Sequence, residues 1–166
     1  TLWKNGFHTI YCNTYQENEQ VIERIDSLLT ASIEGIIYSP VLGPNYIETN
    51  RHILNSIDKK GIPLVLVDRY MTDRMDNFVV INDRETFKEL VCSMIHQGHS
   101  RILFVNGFEA TSSLNRLMGF YDAFKQSDVD FSGALEIQLN EKNLFQTGRV
   151  PDEIIEEVKT MGDFTA

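Results

Sequence analysis

Two hydrophobic periods alternate along this chain. Between positions 17 and 30 the apolar residues are Val21, Ile22, Ile25, Leu28 and Leu29, a helical spacing with one buried stripe. Ile47, Ile53, Leu54 and Ile57 predict a second helix, stopped at Gly61. Phe87, Leu90, Val91, Met94 and Ile95 predict a third, closed by Gly98 where left-handed backbone is favoured. Leu114, Leu117, Met118, Tyr121 and Phe124 predict a fourth, and Pro151 opens a last one through Ile154, Ile155 and Val158. Between these lie short strand-like runs: His8 to Cys12, Gly35 to Tyr38, Pro63 to Val67, Phe78 to Ile81, Arg101 to Val105 and Ala134 to Leu139. Pro63-Leu64-Val65-Leu66-Val67 is apolar throughout, as expected of a parallel strand covered on both faces. The strand–helix rhythm predicts an α/β fold with mostly parallel sheets and right-handed crossovers.

With 42% hydrophobic residues the 166-residue chain has enough apolar material for a packed core. Its net charge of −9 argues against nucleic-acid binding by this segment, because phosphate contacts need clustered Lys and Arg. Cys12 and Cys92 read as two small buried hydrophobes in a reducing compartment rather than a disulfide framework. No apolar run reaches membrane length. His96 and His99 straddle the helix stop at Gly98, which breaks the one-face geometry of a metal pair, so no metal site is expected. There is no phosphate-binding glycine loop, nucleophile elbow or base at a recognisable spacing from Ser112 or Cys92. The expectation is a binding protein without a cofactor, not an enzyme.

In an open α/β sheet ligands bind at the carboxyl ends of the strands. Asp68 ends the strongest strand and is followed by Arg69. Its carboxylate is either an acceptor for two sugar hydroxyls or a turn and ion-pair residue. Arg116 is a five-donor fork suited to hydroxyls, carboxylate or phosphate, or else an ion pair to a neighbouring lobe. Ser112 and Ser113 precede it, and one of them is expected to cap that helix. Ser39, at another strand end, faces the same crevice or is a solvated loop residue. Phe108 and Tyr70, in loops after strands, either stack on a sugar face or cover their own core. Asn82 and Asp83 are read as a helix start.

Gly98-His99 with Arg101-Ile102, and Arg116-Leu117-Met118-Gly119-Phe120, resemble the effector-binding core of bacterial repressors of the lactose/galactose-repressor type. Gly61-Ile62-Pro63-Leu64-Val65-Leu66-Val67-Asp68-Arg69 is similar to a strand of that family, and so is Glu34-Gly35-Ile36-Ile37, with Glu for the usual Asp. Val80-Ile81-Asn82-Asp83 departs from it by exchanging Asn and Asp. The resemblance implies the two-lobed type-I periplasmic-binding-protein architecture, each lobe a doubly wound parallel sheet. Residues 1–81 would form the N-terminal lobe and 82–166 the C-terminal lobe, both incomplete. It implies a sugar or sugar phosphate in the cleft, held by Ser39, Asp68, Ser112 and Arg116, with Arg69 adjacent; Phe108, from its loop position, is added as a candidate effector contact. It further implies a homodimer in the cytoplasm, no membrane contact, and DNA reading by a domain absent from this sequence. A solute-binding protein of a transport system is the alternative on the same fold. The expected first strand of the N-terminal lobe is not in this sequence. The expectation is therefore a polypeptide longer than 166 residues, or a sheet completed by a second chain.

Overall fold

The computed structural model describes residues 2–13, 18–43, 45–107, 110–139 and 152–166. After a 3-10 turn at Leu2–Asn5, the described elements are α1 (Asn18–Leu28), β1 (Ile36–Tyr38), α2 (Tyr46–Lys60), β2 (Leu64–Val67), β3 (Asn77–Val79), α3 (Asp83–His96), β4 (Ile102–Asn106), α4 (Thr111–Ser127), β5 (Ala134–Gln138) and α5 (Asp152–Thr160). They form two parallel sheets. One has the order β1-β2-β3, with Tyr38 opposite Leu66 and Leu66 opposite Phe78. The other pairs β4 with β5 from Ile102–Ala134 to Asn106–Gln138. Across β4 from β5, the backbone at Thr165 and Ala166 also bonds to Arg101 and Leu103, at 2.9 and 3.0 Å.

The helical stripes read from the sequence face these sheets. Val21, Ile25 and Leu29 of the α1 region and Ile53, Leu54 and Ile57 of α2 bury against Tyr38 and Leu66. Val91 and Cys92 of α3 and Phe120, Ala123 and Phe124 of α4 bury against Ile102 and Phe104. Full burial of one such side chain contributes about 1.5–3 kcal/mol, so each cluster can support its own sheet. The α3–α4 contact is close because residue 119 is glycine: a Cβ there would lie 2.2 Å from the Arg84 carbonyl oxygen. Helix ends follow the expected chemistry. Gly61 and Gly98 take positive φ, 65° and 95°, and their N–H groups bond back to Asp58 and Ile95.

Three expectations are corrected. His8 to Cys12 is not a strand; Ile10 and Tyr11 are exposed there, and so is Cys12. A strand needs a ladder partner for its N–H and C=O groups, and β1 is a sheet edge that pairs only with β2 among the described residues. The first sheet is covered by helices on one face rather than two: Ile37 and Val79, on the face away from Tyr38 and Leu66, are 70% and 67% exposed. The N-cap of α4 is Ala110, so neither Ser112 nor Ser113 caps it. Among the described residues no helix is long and apolar enough to cross a membrane.

Candidate functional site

The carboxyl ends of β1 and β2 shape the site. After β1 the chain turns through Ser39-Pro40-Val41-Leu42, and Asn50 of α2 holds this loop. Its Oδ1 accepts from the Tyr38 hydroxyl at 2.7 Å and from the Val41 N–H at 2.9 Å, while its Nδ2 donates to the Val41 carbonyl at 2.9 Å. Asn50 is fully buried, and every polar atom of its amide group has a partner. Burial pushes the Tyr38 phenol well above its ordinary pKa, so it remains a donor.

At the end of β2 the backbone makes a γ-turn. The Arg69 N–H donates to the Val67 carbonyl at 2.8 Å, around Asp68 with φ of 68°. A positive-φ γ-turn is rare and strained for a residue with a Cβ. It folds the Arg69 side chain back across the strand ends. Nη1 donates to Ser39 Oγ at 3.2 Å and to the Pro40 carbonyl at 3.1 Å, and Nη2 lies 2.9 Å from Asp68 Oδ2. Arg69 Nε is buried and has no acceptor. Beyond it, the Tyr70 ring stacks on Phe78, with centroids 4.6 Å apart. The loop that follows is tied down by Arg74, paired with Asp76 and Asp58 at 2.9 and 2.8 Å, and by Arg51 with Asp73 at 2.6 Å.

The first turn of α4 faces these loops. The Thr111 hydroxyl sits 3.4 Å from both the amide nitrogen and the carbonyl oxygen of Tyr70. A cavity of about 240 Å³ lies between, with Arg51, Arg69, Tyr70 and Asn50 on one side and Ala110, Thr111 and Leu114 on the other. A more open hollow of about 600 Å³ adjoins it, bounded by Tyr46, Glu48 and Arg51 and by Gln138 and Leu139 at the end of β5.

The expected site residues divide into two groups. Ser39, Asp68 and Arg69 are joined in one hydrogen-bonded set, and Arg69 lines the cavity. Ser112 and Arg116 do not line it. Thr111 and Leu114, three apart, share the helix face that does. Ser112 and Arg116, four apart, share the adjacent face, where Ser112 is buried and Arg116 Nε donates to Asp83 Oδ1 at 2.8 Å. Arg116 is thus in an ion pair within its own half of the chain, across α3 and α4. Phe108 lies outside the described residues. Asn50, Arg51 and Thr111 were not expected. Asn50 left one signal: it stands on the apolar stripe of α2, in register with Ile53, Leu54 and Ile57.

Comparison with known proteins bears on the family and the fold. Residues 1–135 match the family described as periplasmic binding proteins and sugar binding domain of LacI family. The HTH-type transcriptional regulator PtxS of Pseudomonas putida is 29% identical over 119 residues, covering 70% of this chain and 33% of PtxS. The transcription regulator CcpA of Lactococcus lactis superposes with a TM-score of 0.68 at 18% identity, covering 81% of this chain and 48% of CcpA. The Cra transcriptional dual regulator of Pseudomonas putida, solved with fructose 1-phosphate, gives 0.63 at 14% identity, covering 90% of this chain and 57% of Cra. This chain spans about a third of the length of the curated relatives it matches.

Proposed function

The chain belongs to the family of periplasmic binding proteins and LacI-type sugar-binding domains, and from that premise we propose that it is the effector-binding part of a bacterial transcriptional regulator. The lobes divide between residues 81 and 82. A sugar-like molecule binds in the gap between them, with Arg69 as its principal polar contact and Ser39 and Asp68 holding that arginine in place. Thr111 and Leu114 close the gap from the other lobe. The complete protein acts as a cytoplasmic homodimer that reads DNA through a domain outside this chain, and it catalyses no reaction.

The observation that carries this reading is the Arg69 side chain, set by a strained turn at the end of β2 and lining the cavity between the strand ends and α4. A ligand oxygen in that cavity would meet its guanidinium. The relatives named above are regulators, which favours this reading over a transport-associated binding protein. Coupling to DNA requires that the ligand bind one arrangement of the lobes better than another.

Calorimetry and thermal melting of the full-length protein against a sugar panel test the proposal. A true effector at about a hundred times its Kd adds about 2.7 kcal/mol of stability, and the melting temperature rises accordingly. If no sugar moves the melting temperature, the reading is wrong.

A further inference from the structure

The charge of the ligand can be inferred from the same cavity, resting on the effector-binding reading. Two guanidinium groups line it, Arg51 and Arg69. Each already faces a carboxylate: Asp73 at 2.6 Å and Asp68 at 2.9 Å. The hydrogen bond from Arg51 holds the Asp73 carboxyl below its ordinary range, so that pair is fully charged at neutral pH. Arg69 Nη1 is committed to Ser39 and Pro40. Arg116, further along α4, is likewise paired with Asp83. The adjoining hollow adds another carboxylate, Glu48.

A phosphate or carboxylate ligand needs surplus positive charge to offset the loss of its hydration. Asp73 in the lining and Asp68 beside it balance the two guanidinium groups and leave none. The lining supplies charge-balanced guanidinium groups and apolar surface from Val41, Leu42 and Leu114. A hydroxyl or ring oxygen accepts from such a guanidinium without bringing a charge. The C–H face of a sugar ring matches the apolar wall.

We propose that the cavity selects an uncharged polyhydroxylated ligand and rejects sugar phosphates and sugar acids, with Asp68 and Asp73 setting that preference by neutralising Arg69 and Arg51. The test is calorimetry on the full-length protein with D-ribose, D-xylose, D-glucose and D-galactose. Each is compared with its phosphate monoester, and the two hexoses also with their uronates. The neutral sugar that binds best should bind at least about tenfold tighter than its anionic counterpart, a difference of about 1.4 kcal/mol. An anion that binds tighter than its neutral parent overturns the proposal and leaves the effector reading standing. Absence of binding by both classes overturns both.

Asp68→Asn separates the cause. Asn tolerates positive φ, so the turn survives, while Arg69 Nη2 loses its counter-charge. The neutral-over-anion ratio should fall about tenfold in this variant. Asp73→Asn, at the more exposed pair, should lower it in the same direction. An unchanged ratio in both variants overturns the assignment of those carboxylates.

Discussion

Three hydrogen bonds converge on Asn50, and their loss would leave the buried Tyr38 hydroxyl and both polar groups of Val41 without these partners. Asn50→Ala is expected to destabilise the protein by about 2–4 kcal/mol, several times the net value of one hydrogen bond. Asn50→Asp keeps the acceptor, loses the donor and should fall between, as urea denaturation would record. Asp68 tests the strained turn. Asp68→Ala places a Cβ at φ of 68° without the local bonding an Asp offers, and should lose about 1–2 kcal/mol. Asp68→Gly should recover most of that loss. If the alanine and glycine variants are equally stable, the turn is not strained. The position of Asp68 at a strand end was legible in the sequence. The partner of Arg69 across the loop was not, because Ser39 and Pro40 lie about thirty positions away and only the strand pairing brings them near.

At the scale of elements, the helix pair α3–α4 depends on Gly119. Gly119→Ala adds helix propensity of about 1 kcal/mol, but its methyl would press on the Arg84 carbonyl, a backbone atom that cannot rotate away. The clash should win and lower stability by about 1–3 kcal/mol. The same pair is tied by Arg84 and Asp122 at 2.6 Å, whose hydrogen bond lowers the Asp122 pKa. A carboxyl with a depressed folded-state pKa stabilises above its unfolded value of about 3.9 and loses that contribution as pH falls through the folded value. The melting-temperature gap between wild type and Asp122→Asn should therefore be present at neutral pH, small because the pair is exposed, and should close in acid. A gap that persists in acid would mean the pair is not its source. Helices were legible because 3.6-residue periodicity is local. The strand at positions 8–12 was misread because its alternating residues, Ile10 among them, satisfy the local pattern, while among the described residues no neighbouring strand completes the ladder.

For the whole molecule, the carboxyl ends of two parallel sheets border adjoining hollows, and under the proposed function a ligand bound there would act on how the two sheets sit relative to each other. The first sheet also leaves Ile37 and Val79 open on one face, with Phe78 and Ile81 exposed nearby. Residues 1–166 expressed alone should bind a hydrophobic dye through this face. Replacing Ile37 and Val79 together by Thr should reduce the signal; an unchanged signal would place the sticky surface elsewhere. The two-lobed plan was legible from β2 and from the stretch between Gly98 and Phe120. The assignment of Arg116 to its partner Asp83 needed the α3–α4 packing, which no local pattern encodes.

The most direct measurement is a crystal structure of the full-length protein with the sugar that raises its melting temperature most. The expected structure has a ligand oxygen within about 3 Å of the Arg69 guanidinium, with the ring between Tyr70 and the Thr111–Leu114 face of α4. A sugar bound elsewhere, out of reach of Arg69, would contradict the proposed site.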